Sequence, residues 1–434
     1  MSLSTSNYKG ARDVYPEDMR LRQYIFGVWE RAAEQFGYEK YDAPILEPIE
    51  IYAAKSGEEI VNDQTYTFTD RGGRKVTIRP EMTPSVARMV AAQRQEMALP
   101  ARLYSIANFM RYERPQKGRE REFWQLNVDL FGAENVAADA EIITIADKIL
   151  RAFGADENMF TIRINDRRLT NFIMCEYLNL TEDQANQMIK LFDRREKISQ
   201  EDFNSSAYEI AFSNDPYVPC CESEWEIRID ALLSAKTIDD LPKQIRKNPV
   251  IESLKNLFEI LEKCGIKSAK FDPTLMRGFD YYTGIVFEVF DNNPENNRAM
   301  FGGGRYDGLV GLFGVEDLPV VGFAPGETTT IEFLRAWNLL PELRPATDLV
   351  LLPLGEVDVS AVADELRASG VNVAIDFTDR KLDKKIRAAV KMGVQYLLFV
   401  GEEELTEQKY TLKNVTTGEE NKLMLNNIID VVTK

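Results

Sequence analysis

The chain has 434 residues, 44% hydrophobic and 28% charged, with a formal net charge of −17 and no histidine. That length allows two or three cores, and the composition is that of an ordinary globular chain. The acidic balance argues against a nonspecific nucleic-acid binder, whose footprint is basic, and leaves local basic patches open. Without histidine there is no imidazole general base, pH switch or zinc ligand, so any chemistry must use Arg, Lys, Asp, Glu, Tyr or a bound metal ion. No stretch is apolar enough to span a bilayer, and the start MSLSTSNYKG lacks the apolar core of a signal peptide, so a cytoplasmic chain is expected. Cys175, Cys220, Cys221 and Cys264 show no metal-ligand spacing, and the adjacent pair reads as two buried thiols.

From Glu17 to Phe36 the residues Leu21, Ile25, Val28, Trp29, Ala32 and Phe36 recur at helical spacing, with Gly37 placed to end the helix. Tyr38 to Pro44 reads as a strand. The run TYTFTDRGGRKVTIRP (65–80) alternates on both sides of Arg71-Gly72-Gly73-Arg74, a hairpin pattern. Thr83-Pro84 offers an N-cap and a first-turn proline for a helix. Strands are expected near 102–110 and 122–131 around a polar loop, so the first part reads as α+β, not as a repeating βα unit. Residues 166–265 carry helical periodicity and read as a helical insertion between two halves of one sheet. After the proline-flanked ELRPATD, the runs VLLPL (350–354), VNVAID (371–376) and QYLLFVG (395–401) alternate with helical segments, giving a βαβαβ layout.

Three stretches carry chemistry. The loop in FMRYERPQKGREREFWQLNVDLFG (109–132) holds Arg111, Arg114, Lys117, Arg119 and Arg121 in an otherwise acidic chain. Such crowding suits a multiply charged anion, since the guanidinium fork matches phosphate and carboxylate; a solvated loop interleaved with Glu113, Glu120 and Glu122 is the competing reading. LMRGFDYYTGIVFEVF (275–290) joins a strand in which Ile285, Phe287 and Val289 alternate to a polar end holding Arg277, Asp280, Tyr281 and Tyr282. Either a ligand site or a bulge with an Arg–Asp pair would account for it. In FGGGRYDGLVGLFG (301–314), Gly302 to Gly304 are expected to follow a strand and open a helix, where bare backbone approaches a ligand closely.

Taken in order, KGARDVYPEDM (9–19), FGYEKYDAPILEP (36–48), DRGGRKVTIRPEMTPSVARM (70–89), RYERPQKGREREFWQ (111–125), LMRGFDYYTGIVFEVF and GGGRYDGL (302–309) resemble the histidyl-tRNA synthetases, which are class II aminoacyl-tRNA synthetases, over essentially the whole chain. The resemblance implies an antiparallel-sheet catalytic domain (1–165 and 266–342), an inserted helical domain (166–265) and a C-terminal α/β anticodon-binding domain (346–434), assembled as a homodimer. It implies ATP with Mg²⁺, histidine and tRNA(His) as ligands.

Residue by residue, Arg111 and Arg277 match positions that bridge the amino-acid carboxylate and the ATP α-phosphate. Glu113 matches an adenine contact and Arg119 a contact to the distal phosphates. Glu81, Thr83 and Gln125 match holders of the α-amino group. Asp129 and Tyr282 match contacts to the two imidazole nitrogens, with Tyr281 walling the pocket, and Arg114 and Gln116 match contacts to the tRNA acceptor end. By their residue types alone, Glu81 and Thr83 could instead cap the helix at Pro84, and Asp129 could pair with an arginine. Many class II enzymes carry an arginine after the glycine-rich part of motif 3; here Thr329 stands at that position, which implies either weak ATP binding or, as expected here, a variant subgroup in which Arg305 supplies the missing cation to ATP. The competing assignment is a catalytically silent paralogue serving as the regulatory subunit of ATP phosphoribosyltransferase. The basic segment DRKLDKKIRAAVKMG (379–393) would suit anticodon-stem phosphates or simply an exposed amphipathic helix.

Overall fold

The computed structural model describes residues 3–53, 64–116, 118–195, 198–212, 222–276, 282–296 and 298–433. The chain divides into two compact units, Met1–Asp13 with Arg22–Leu340, and Val14–Leu21 with Pro341–Lys434.

The first unit is built on strands β1 (Glu39–Lys40), β2 (Leu46–Pro48), β3 (Tyr66–Thr69), β4 (Lys75–Ile78), β5 (Ala101–Met110), β6 (Glu122–Phe131), β7 (Phe160–Asp166), β8 (Ala269–Phe271), β9 (Ile285–Asp291), β10 (Ala299–Arg305) and β11 (Val320–Phe323). Eight of them form one sheet in the order β1-β5-β6-β11-β10-β9-β7-β8. All its pairings are antiparallel except the outermost, β1 with β5 and β7 with β8. The long central pair β5–β6 runs in unbroken register from Ala101↔Phe131 to Met110↔Glu122, which holds the loop between them at one end of the sheet. The hairpin read from 65–80 forms as β3–β4, with β2 on its other side.

Three local expectations shift. The strand expected over Tyr38–Pro44 keeps only Glu39–Lys40. The Asp42 carboxylate accepts from the Ala43 N–H (2.8 Å) and from Arg79 Nη1 (3.0 Å), a local arrangement that draws the backbone out of the ladder. The helix after the hairpin spans Thr83–Ala92 with the fully buried Met82, not Thr83, at the capping position and Pro84 in its first turn. Gly302–Gly304 open no helix: they lie inside β10. A Cβ on Gly303 would sit 2.4 Å from the Gly322 carbonyl and 2.5 Å from Phe323 Cβ, so the glycines are there because neighbouring strands leave no room for a side chain.

Between β7 and β8 run helices that include Glu182–Arg194, Gln200–Phe212, Glu222–Ser234 and Val250–Lys263, as the periodicity of 166–265 foretold. Glu182–Arg194 opens with a capping box in which Thr181 and Gln184 bond each other's backbone, and it buries Ala185, Met188, Leu191 and Phe192. The Cys220–Cys221 pair lies outside the described residues; Cys175 and Cys264 are exposed thiols.

In the second unit, strands β12 (Leu349–Pro353), β13 (Val373–Ile375) and β14 (Tyr396–Val400) are parallel as expected. β15 (Tyr410–Asn414) and β16 (Glu420–Leu423) extend the sheet antiparallel, in the order β13-β12-β14-β15-β16, an addition the sequence reading lacks. The near-continuous apolar run of β12 and β14 follows from coverage of both faces. Leu349, Leu351, Leu398 and Val400 join one buried cluster with residues of the helices Ser360–Ala368 and Leu425–Val432, while Val350, Leu352, Leu397 and Phe399 join another with Ala389. Among the described residues no helix is long and apolar enough to cross a membrane.

Candidate active site

A cavity of about 900 Å³ opens on the sheet of the first unit. Its floor is set by the period-two geometry of β6, which turns Phe123, Gln125, Asn127 and Asp129 to one face, and all four line the cavity. The glycines of β10 and β11 keep the adjoining floor bare. A Cβ on Gly322 would lie 2.3 Å from Asp129 Oδ1, so only glycine lets the carboxylate lie across the neighbouring strand. A Cβ on Gly304 would meet the Tyr282 ring at 3.0 Å, so glycine lets that ring lie against β10.

Eight residues expected from the sequence, Glu81, Thr83, Arg111, Glu113, Arg119, Gln125, Asp129 and Tyr282, line this one cavity although they come from positions 200 residues apart. Arg111 is anchored: its Nε donates to the Pro80 carbonyl (2.9 Å) and its guanidinium lies 5.2 Å from the centroid of the Phe123 ring. Arg119 pairs with Glu113 at 3.3 Å, and half of its side chain is exposed. Gln125 Nε2 donates to the Ala324 carbonyl (3.2 Å), and the buried Tyr306 hydroxyl donates to the buried Asp129 carboxylate. The half-buried Tyr41 has its phenol pushed up, first by desolvation of the hydroxyl and then by the Asp129 carboxylate, so it stays a neutral hydroxyl. Arg277 and Tyr281 lie outside the described residues. Arg114 and Gln116 are exposed on the β5–β6 loop, which closes through paired backbone bonds between Gln116 and Arg119 (3.1 and 2.9 Å).

Arg305 is not an ATP ligand in this geometry. It is 7% exposed, with Nε and Nη2 on the two oxygens of Asp139 (3.1 and 2.7 Å) and Nη1 on the Ala133 carbonyl (2.9 Å). Every part of the fork is committed to the helix Val136–Ala152 and the turn before it, so no cation is left to offer a nucleotide.

Sequence reasoning missed several lining residues. Phe123 and Asn127 follow from the same alternation that gives Gln125 and Asp129, and Tyr306 stands within the quoted GRYDG run. Glu327, which opens the helix Glu327–Ala336, is 2% exposed and is held by Arg22 (Nε 2.9 Å, Nη2 2.9 Å) and Arg12 (3.3 Å). Arg12 also reaches Glu120 at 3.1 Å. Burial raises the Glu120 carboxyl above its usual range against the pull of Arg12, and nearby Glu327 adds to the rise. No sequence spacing foretells this cluster, because Arg12 and Arg22 stand more than 300 residues from Glu327 and Arg12 stands 108 from Glu120. Ile189, Lys190, Asp193 and Arg194 of the helix Glu182–Arg194 line the cavity as well.

Among the described residues no group of three or more Cys, Asp or Glu could by itself hold a metal ion. A magnesium ion arriving on nucleotide phosphates needs only one or two protein carboxylates. Glu327 is held by Arg12 and Arg22, and Glu120 by Arg12, so both of these cavity carboxylates are already paired with guanidinium groups.

A family model described as Histidyl-tRNA synthetase matches residues 10–326, and one described as Anticodon binding domain matches residues 348–434. The chain is 42% identical over 424 residues to the Histidine--tRNA ligase of Leptospira biflexa serovar Patoc, covering 96% of this chain and 94% of that one. It is 35% identical over 432 residues to the Histidine--tRNA ligase of Thermoplasma volcanium, covering 98% of each. Its fold matches the crystal structure of histidyl-tRNA synthetase from Nostoc sp. PCC 7120 with a TM-score of 0.82 at 23% identity, covering 100% of this chain and 99% of that one. With a model matched over most of its length and relatives this similar from end to end, the chain belongs to the histidyl-tRNA synthetase family.

Proposed function

We propose that the chain attaches histidine to tRNA(His), using ATP and passing through a histidyl-adenylate. The observation that carries this reading is the row Gln125, Asn127 and Asp129 beside the anchored Arg111 guanidinium in a single cavity. In the first step the histidine carboxylate attacks the α-phosphorus and pyrophosphate leaves. Both reactants are anions, so repulsion is the first obstacle, and Arg111 with Arg277 would hold them together and stabilise the charge that builds at phosphorus. No protein group needs to abstract a proton, because the carboxylate is already ionised; a histidine-free chain loses nothing here. In the second step the terminal ribose hydroxyl of tRNA attacks the carbonyl, AMP leaves, and a phosphate oxygen of the adenylate takes the proton.

Glu81, Thr83 and Gln125 would hold the α-amino group, Glu113 the adenine and Arg119 the distal phosphates. Asp129 and Tyr282 would meet the two imidazole nitrogens, with Tyr281 as a wall, and the Tyr306 bond fixes the Asp129 carboxylate for that task. A site built on such bonds rejects analogues lacking them by about 10⁴–10⁵. Magnesium arriving with ATP would neutralise phosphate charge. The division into residues 1–165 and 266–342 (catalytic), 166–265 (helical) and 346–434 (anticodon-binding), a homodimeric assembly, and a cytoplasmic location complete the proposal. Arg114 and Gln116 would contact the acceptor end of tRNA(His). The regulatory-subunit reading is disfavoured, because such a protein has no use for the anticodon-binding domain matched over 348–434.

Histidine-dependent exchange of pyrophosphate into ATP tests the reading. Arg111→Ala and Arg277→Ala should each lower exchange by about 10²–10³, the usual loss of one preorganised donor. An unmodified protein that binds ATP and gives no exchange with histidine would overturn it.

A further inference from the structure

Beside the cavity stands a surface group that neither the sheet nor the proposed chemistry uses. Tyr8, Tyr66 and Tyr112 gather around the guanidinium of Arg121. Its central carbon is 4.2 Å from the Tyr112 ring centroid and 5.7 Å from that of Tyr8. Tyr66 stands edge-on to both, at 6.3 Å from Tyr8 and 5.5 Å from Tyr112. Arg121 Nη1 donates to the Tyr8 hydroxyl (3.1 Å), and the Tyr66 and Tyr8 hydroxyls are 3.3 Å apart.

The scaffold under this group is fixed. Arg121 Nε donates to the Glu113 carbonyl (3.0 Å), its backbone N–H donates to the Gly10 carbonyl (2.7 Å), and Gly10 at φ +88° brings the chain so close that a Cβ would lie 2.7 Å from Arg121 Cγ. Yet Tyr8 and Tyr112 are each 53% exposed. Rigid, half-exposed rings around a solvent-facing guanidinium are what a single-stranded base needs: a π-face to stack on, with a cation for the adjoining phosphate. A folding role accounts for the bonds of Arg121, but not for two rings held open to water.

The position selects the occupant. Tyr112 follows Arg111, whose side chain faces the cavity, and it shares the β5–β6 loop with the exposed Arg114 and Gln116. The ribose that accepts the amino acid would be carried on an unpaired strand, and a strand entering the cavity along this loop would run beside these rings. We propose that Tyr8, Tyr66 and Tyr112, arranged around Arg121, form a stacking platform for an unpaired nucleobase in the single-stranded 3′ end of tRNA. This rests on the synthetase reading and adds to it a subsite formed by the N-terminal segment and the β5–β6 loop.

The test uses the full-length protein and tRNA(His) transcripts carrying the fluorescent base 2-aminopurine at each unpaired 3′-end position in turn. Binding to the unmodified protein should quench the probe at one position. Tyr8→Ala, Tyr112→Leu and the double variant should lose the quench and raise the KM for tRNA about 10-fold, the scale of one base–aromatic stack. Histidine-dependent pyrophosphate exchange, which also reports an intact fold, should be unchanged. Tyr8→Phe and Tyr112→Phe, which keep the rings, should keep the quench. Bound tRNA without quenching at any position, or variants that quench and charge like the unmodified protein, would overturn the platform. Absence of exchange in the unmodified protein would instead sink the synthetase reading, while the quench is read independently of it.

Discussion

Arg305 and Asp139 form a two-pronged ion pair at 3.1 and 2.7 Å, with side chains 9% and 3% exposed. Burial holds the Asp139 carboxyl above its usual range even with the guanidinium pulling it down. Arg305→Met should therefore cost about 3–5 kcal/mol of stability, the usual result of leaving one buried charge behind. The sign with pH follows from the direction of the shift. A carboxyl whose proton affinity rises on folding favours the folded state below the unfolded pKa of about 3.9 and loses that contribution as pH rises through the folded value. The variant's deficit should be smallest in acid and grow toward neutrality, read by denaturant melts across pH. The KM for ATP in the folded fraction should not change; a large rise would restore Arg305 as a nucleotide ligand.

Gly303 tests the reading of the glycine run as close strand packing. An added Cβ would collide with the Gly322 carbonyl at 2.4 Å and the Phe287 ring at 2.8 Å. Gly303→Ala should destabilise by about 1–3 kcal/mol, as overpacking does, and reduce soluble yield. Were the run a flexible phosphate-binding turn, the variant would melt like the parent and lose only ATP affinity.

Tyr306→Phe removes the hydroxyl that donates to Asp129 and keeps the ring in its core cluster. A hydrogen bond to a charged group is worth about 1.5–3 kcal/mol. The KM for histidine in pyrophosphate exchange should rise by about 10- to 100-fold, with the KM for ATP little changed. Equal effects on both substrates would mean that Tyr306 supports the floor of the cavity and has no part in placing the imidazole contact.

Glu327→Ala should release Arg12 and strand the Arg22 side chain, which is 11% exposed. We expect a loss of about 2–3 kcal/mol on the scale of charge-assisted bonds. Replacing Arg22 in the Glu327→Ala background should then add little further, because the two residues act on one interaction. Additive losses in that double-mutant cycle would rule out the pairing.

Much of this architecture could be read from local pattern. The β3–β4 hairpin, the β5–β6 pair and the helical stretch after β7 each follow from alternation or periodicity within a window of a few residues. The errors arise where one pattern serves two geometries. Gly302–Gly304 could open a phosphate turn or run between crowded strands, and only the positions of Gly322 and Phe287 decide it. Arg305 appears in the sequence beside the glycine run, yet its partner Asp139 lies 166 positions away, beyond the reach of spacing rules. The site residues that could be named came from motif-length matches, whereas the Arg12–Glu120–Glu327–Arg22 cluster has no local signature at all. Of the additional strands, β16 has no hydropathy signal because Glu420–Lys422 are polar and exposed, whereas β15 does alternate, with Tyr410 and Leu412 buried between Thr411 and Lys413, over a run of only five residues.

The helices between β7 and β8 depart from and return to strands that lie side by side, with Ile162 paired to Ala269. Because the two strands run parallel, their connection must cross over and needs a dozen or more residues in any case; closing a segment costs entropy that grows only logarithmically with its length, so stretching that crossover to about 100 residues adds little. A lineage could therefore lengthen or trim that excursion while the ladder beneath it keeps its register; where the helix Glu182–Arg194 lines the cavity, the excursion stays tied to the chemistry on the sheet.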